Sequence, residues 1–224
     1  MLKAIFYKEF LKIRWSWLIL IALNGLLMAH IFIETRHLFV MDHAEVVWYR
    51  VLHLGQIHYG HLKFAPPVTG LLLACIQYLP EMAGERLRLS LHLPVFPHRL
   101  IMAHLVVGLS ALGLIIALDL VTLSRISARY FPAEAVSTTL LTALPWGLAG
   151  VAAYLGLTLA LLEPSYKLKL FNLALTAGVA GLFLHPAEPG GYSHSLLLLI
   201  LPILLMIPAM MLPAYRFRYR KVSS

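Results

Sequence analysis

From Ser195 to Leu212 the chain runs 18 residues without a charged side chain, and from Leu100 to Leu123 it carries only Asp119. No other feature limits the fold as strongly. A helix that crosses a bilayer needs about 20 largely apolar residues. Lipid offers no hydrogen bonds to the backbone, so only helices and closed barrels cross it. Barrel strands are short and alternate in polarity, whereas these runs are long and uninterrupted, which favours helices. Composition agrees. Of 224 residues, 60% are hydrophobic and 12% charged, about half the roughly 25% charge of a soluble domain. The chain reads as an all-α, polytopic membrane protein. A soluble enzyme, a disordered chain and a disulfide scaffold are excluded.

Six spans are expected: Trp15 to Ile33, a second ending at Leu79, Leu100 to Leu123, Thr138 to Leu162, Leu168 to Leu184, and Ser195 to Leu212. The second is the shortest. Phe64 to Leu79 would rise roughly 24 Å against a core of about 30 Å, so it must borrow the turn before it or be a broken helix. Pro145, Pro202 and Pro208 fall inside spans and are expected kinks.

Six spans put both termini on one side. Thirteen of the eighteen basic residues then share that side: Lys3, Lys8, Lys12, Arg14, Arg86, Arg88, Arg99, Lys167, Lys169, Arg216, Arg218, Arg220 and Lys221. Arg36, Arg50, Lys63, Arg125 and Arg129 lie opposite. The positive-inside rule makes the richer side cytoplasmic, including the basic tail 214–224.

Before the first span, residues 1–14 place Leu2, Phe6, Phe10 and Ile13 along one side of a helix with Lys8 and Lys12 opposite. This pattern predicts an amphipathic helix lying in the interface, with the chain turning into the membrane at Trp15. The outer loop, 34–63, should contain a second short amphipathic helix. Asp42 and Glu45 suit its start, Val47 and Val51 its apolar face, and Trp48 and Tyr49 the headgroup level. Six of the eleven histidines lie between His30 and His61. His58 and His61 are three apart and would share a metal if helical; His37, His43, Asp42 and Glu45 are further donors nearby in sequence.

Between spans two and three, 80–99 forms a cytoplasmic loop. Pro80 suits a helix start and Glu81 the positive end of its dipole. The order Glu81-x-x-Gly84, Leu91-x-Leu93-Pro94 and Arg99, directly ahead of a long apolar helix, resembles the permease subunits of the ABC-2 transporter family. Lys8-Glu9-Phe10-x-Lys12 ahead of span one is similar to that family as well, as is the six-span plan. Many members carry a lysine a few residues into span three, where this chain has His104. The resemblance implies a dimer, homo- or heteromeric, in a bacterial cytoplasmic membrane. It implies separate ATPase subunits that bind ATP and Mg and dock on the loop. Glu81, Gly84, Glu85, Arg86, Arg88, Pro94 and Arg99 would form that coupling surface.

No cofactor is expected on this chain. It lacks the G-x-x-x-x-G-K-[ST] loop that holds ATP phosphates. Its single cysteine, Cys75, excludes an internal disulfide and a cysteine metal site. Gly108-Leu-Ser-Ala-Leu-Gly113 is not a nucleophile elbow, so a non-catalytic subunit is expected, with no nucleic-acid partner. Asp119 and Glu163 fall near span ends and no charge marks a span centre, which disfavours an ion-coupled pump and suits an apolar or amphiphilic substrate. The alternative reading is a membrane protein that handles metal or haem through its outer histidines.

Overall fold

The computed structural model describes residues 2–82, 96–185 and 188–219. Among them it is all-helical: α1 (Leu2–Met41), α2 (Ala44–Leu52), α3 (Ala65–Met82), α4 (Pro97–Tyr130), α5 (Ala133–Leu162), α6 (Tyr166–Leu184), α7 (Leu196–Ala209) and α8 (Met211–Tyr219). A single 3-10 turn, Gly60–Phe64, leads into α3. Six helical segments are long and apolar enough to cross a membrane. The chain is a multi-pass integral membrane protein.

Among the described residues, 2–14 do not form a separate helix. α1 continues through Trp15 without a turn for 40 residues, about 60 Å at helical rise, twice a bilayer core. The reason lies in its inward seam. Glu9, Ile13, Leu20, Asn24, Met28, Ile31 and Thr35 are buried, with half-buried Trp17 between Ile13 and Leu20. They recur every three or four residues, so one unbroken helix face meets the bundle throughout. Trp17 adds a hydrogen bond from its indole Nε1 to the Ala111 carbonyl on α4 at 3.0 Å. The expected apolar stripe divides accordingly: Ile13 is buried, while Phe6 and Phe10 face outward.

The same helix shortens the outer loop, which begins after Met41 rather than at residue 34. The short amphipathic helix is present as α2. Val47 is buried against Phe131 and Ala135, and Trp48 Nε1 donates to the Tyr130 carbonyl at 2.9 Å. Its cap differs from expectation. His43 holds the N-cap position without a side-chain bond, and Asp42 instead accepts from Arg50 at 2.7 Å.

Span two does borrow the preceding turn, and Gly60–Met82 makes 23 residues. Pro66 and Pro67 sit in the first turn, where no amide donor is missed. Pro80 starts no new helix; it lies inside α3. Spans three and four extend beyond the expected limits and meet at Phe131-Pro132. Phe131 is extended there, as a residue before proline must be.

α5 is the central element, with 67% of its most apolar stretch buried, against 17% for α6 and 22% for α1 and for α7. Its closest neighbour is α3. Gly70 and Gly150 bring the two backbones together, and a Cβ on Gly150 would stand 2.7 Å from the Pro66 carbonyl oxygen. The peripheral helices turn Leu23, Leu26, Phe171, Leu197 and Leu201 outward, as lipid-facing surfaces require.

Candidate functional site

The most polar part of the interior lies where the N-terminal turns of α1, the last turn of α3 and the first turns of α4 converge. Lys8, Glu9 and Lys12 occupy adjacent turns of α1. Glu81 approaches from α3 and is 2% exposed. One of its oxygens, Oε1, takes both ammoniums, Lys8 Nζ at 3.0 Å and Lys12 Nζ at 3.2 Å. Lys12 Nζ also reaches Glu9 Oε1 at 2.8 Å, and Glu9 is fully buried. Two carboxylates and two ammoniums balance. That balance matters, because an unpaired ion in this environment costs several kcal/mol.

Neutral groups extend the network. Gln77 Nε2 donates to Glu9 Oε2 at 3.1 Å and to the His104 carbonyl at 2.8 Å. The Tyr154 hydroxyl on α5 donates to Gln77 Oε1 at 2.7 Å. His104 Nδ1 stands 3.5 Å from Glu9 Oε2. Gly108 makes room for this junction, since a Cβ there would collide with the Tyr154 hydroxyl and Gln77 Oε1. Four helices, α1, α3, α4 and α5, are thereby joined through side chains at one end of the bundle.

Sequence reasoning assigned Glu81 to a helix start in a loop. The structure buries it at a helix end, where two lysines rather than the dipole compensate it. Gly84, Glu85, Arg86, Arg88 and Pro94 lie outside the described residues. Arg99 stands on the first turn of α4, its guanidinium over the Phe96 ring at 5.2 Å. Charged groups also lie within the span-length helices. Glu9, Lys12 and Glu81 do so as a compensated set. Asp119 lies eleven residues before the end of α4 and is buried beside a groove of about 440 Å³ between α1 and α4 that also presents Asn24 and Thr122. Glu163, next to Pro164 as expected, accepts from Arg216 at 3.0 Å. Glu9, Gln77 and Tyr154 were missed as site residues. A heptad-like reading of α1 that allowed a polar residue on the seam would have flagged Glu9.

The opposite end carries the histidines, and His58 and His61 meet different partners there. His58 stacks on Phe131 at 4.7 Å and meets Tyr59 edge-on. His61, on the 3-10 turn, faces α1. Its Nε2 lies 3.5 Å from Glu34 Oε1, and His30 Nε2 lies 3.5 Å from the same oxygen.

Burial pushes the His58 pKa down to about 4. An unfolded histidine near 6.5 binds a proton that the folded site refuses, so acidification between those values favours opening. From pH 7 to pH 4.5 the local opening equilibrium should rise about fifty-fold. Amide exchange over residues 56–62, corrected for intrinsic rates, should report this rise, and His58→Phe should remove it. His37 and His61 line the adjacent groove, so parent and variant are compared at each pH. Equal pH dependence in both would mean that His58 is not its source.

No family model, no characterised protein and no solved structure matches the chain.

Proposed function

We propose that the chain is the membrane-spanning permease subunit of an ATP-driven transporter of the ABC-2 type, in a bacterial cytoplasmic membrane with both termini cytoplasmic. Two such subunits, identical or different, form the substrate pathway. Separate ATPase subunits bind ATP and Mg and engage the loop between α3 and α4. One observation carries this reading. The two stretches that resemble the family, Lys8-Glu9-Phe10-x-Lys12 and Glu81-x-x-Gly84, are far apart in sequence yet share one ion cluster, with Lys8 and Lys12 both on Glu81.

The cluster suits force transfer. Glu81 is the last charged residue before the loop. A displacement of the loop moves the end of α3, and Glu81 pulls on Lys8 and Lys12 and thus on α1. Gln77 and Tyr154 carry the same displacement to α5. Helices joined in this way tilt as a body rather than flex separately. The groove of about 420 Å³ between α5, α6 and α7, apolar apart from Asn172, Glu163 and Arg216, suits an amphiphilic substrate.

Purification from the native membrane in mild detergent tests the reading. An ATP-hydrolysing subunit should copurify, and Gly84→Trp should lower its recovery at least tenfold without lowering the amount of this chain. A stable chain recovered without any ATPase would remove the proposal.

A further inference from the structure

The second polar feature of the molecule, the histidine group at the opposite end, has no part in the proposed coupling. We infer that His30, Glu34 and His61 form a binding site for a divalent transition-metal ion of the zinc class. The inference stands on these residues alone and holds whether or not the chain is a permease.

The geometry is the first support. One donor atom from each residue lies within 4.8 Å of the other two. Tetrahedral zinc with bonds of about 2.0–2.1 Å places any two ligand atoms about 3.3 Å apart. Both histidine nitrogens stand 3.5 Å from the same Glu34 oxygen. That separation is longer than an ordinary N–H···O hydrogen bond of about 2.7–3.2 Å and close to the tetrahedral edge. The two rings stand side by side, with centroids 5.5 Å apart and planes tilted by 52°.

Rigidity is the second support. His30 and Glu34 are one turn apart on α1, so the helix fixes their spacing. His61 is held from the other side, because its 3-10 turn is anchored by Tyr59 and Leu62, both buried against Met28, Ile31 and Trp146. Donors mounted on packed elements lose little freedom when an ion binds.

The donor set selects the ion. Two imidazoles and one carboxylate suit zinc, nickel, copper(II) or iron(II), whereas calcium and magnesium demand oxygen-rich shells. Three protein donors leave a position open, as in exchangeable sites rather than closed structural ones. Glu34 and His61 also line a groove of about 500 Å³, together with His37 and His58. His37, one turn beyond Glu34 on α1, lines the same groove.

The test uses the full chain in lipid nanodiscs, purified on a tag without histidine and stripped with a chelator. Titration with Zn²⁺ should show one ion per chain. His30→Ala, Glu34→Ala and His61→Ala should each weaken binding at least tenfold, whereas His98→Ala and His194→Ala should not change it. Co²⁺ should give the intense visible absorption of a four-coordinate site in the parent and lose it in His61→Ala. The three side chains are partly exposed, so the variants should retain the parent's elution volume and helical spectrum. Absence of stoichiometric Zn²⁺ binding, or binding that survives loss of His30 and His61, would overturn the inference.

Discussion

Lys12→Met should lower the stability of the bundle by about 3–5 kcal/mol, the range seen when one partner of a buried ion pair is removed. Lys12 is the ammonium that touches both carboxylates, Glu9 at 2.8 Å and Glu81 at 3.2 Å. Its loss leaves Glu9 buried with a neutral amide and His104 as its neighbours. Lys8 cannot replace it, because its side chain is about half exposed and exposed pairs contribute little. The double variant Glu9→Gln with Lys12→Met removes one charge of each sign and keeps an acceptor for Gln77. It should recover most of the loss, so the two changes will be strongly non-additive. Chemical or thermal denaturation of the nanodisc-embedded chain measures all three variants. A Lys12→Met chain as stable as the parent, or a double variant as unstable as the sum of its parts, would mean that the ammonium does not neutralise Glu9.

The second large effect is expected at the contact of α3 with α5. Gly150→Leu should abolish recovery of monodisperse protein, and Gly150→Ala should cost about 1–3 kcal/mol, the usual penalty of overpacking. The obstacle is backbone. A Cβ on Gly150 would lie 2.7 Å from the Pro66 carbonyl oxygen and 2.8 Å from its carbon, and neither atom can rotate away. α3 would have to withdraw from α5, which also parts Tyr154 from Gln77. Gly178→Ala and Gly181→Ala serve as controls, since a Cβ at either meets nothing within 4 Å, and each should stay within about 0.5 kcal/mol of the parent. Size-exclusion profiles and melting curves decide between these outcomes. A well-folded Gly150→Leu chain would show that the two helices are not in backbone contact.

Spans were readable from the chain because lipid imposes one rule on every residue it touches. Leu100 to Leu123 and Ser195 to Leu212 are apolar for that reason, and both belong to span-length helices. Span ends were less readable. α1 and α4 run well past their apolar limits, because beyond the lipid-like stretch a helix is held by neighbours rather than by solvent. The buried seam from Glu9 to Thr35 holds α1, and a seam is invisible until the partner helices are placed. The expected turn at Trp15 failed on this point.

Site residues divide in the same way. Glu81 was legible from its motif, but its environment was not, and a loop position became a buried one. Glu9 stood in the Lys8-Glu9-Phe10-x-Lys12 motif without a partner assigned to it, and Gln77 and Tyr154 carry no local pattern of their own. His61 was legible as a ligand type, but its neighbours His30 and Glu34 on α1 were not.

The amino-acid sequence by itself determined the solvent, the helical class and the six spans, because burial of backbone polar groups in lipid depends only on local composition and length. Tertiary structure alone decided which charges neutralise one another, which glycines set the helix spacing and which histidines converge. Those are distances between segments separated by dozens of residues, and they are set by packing.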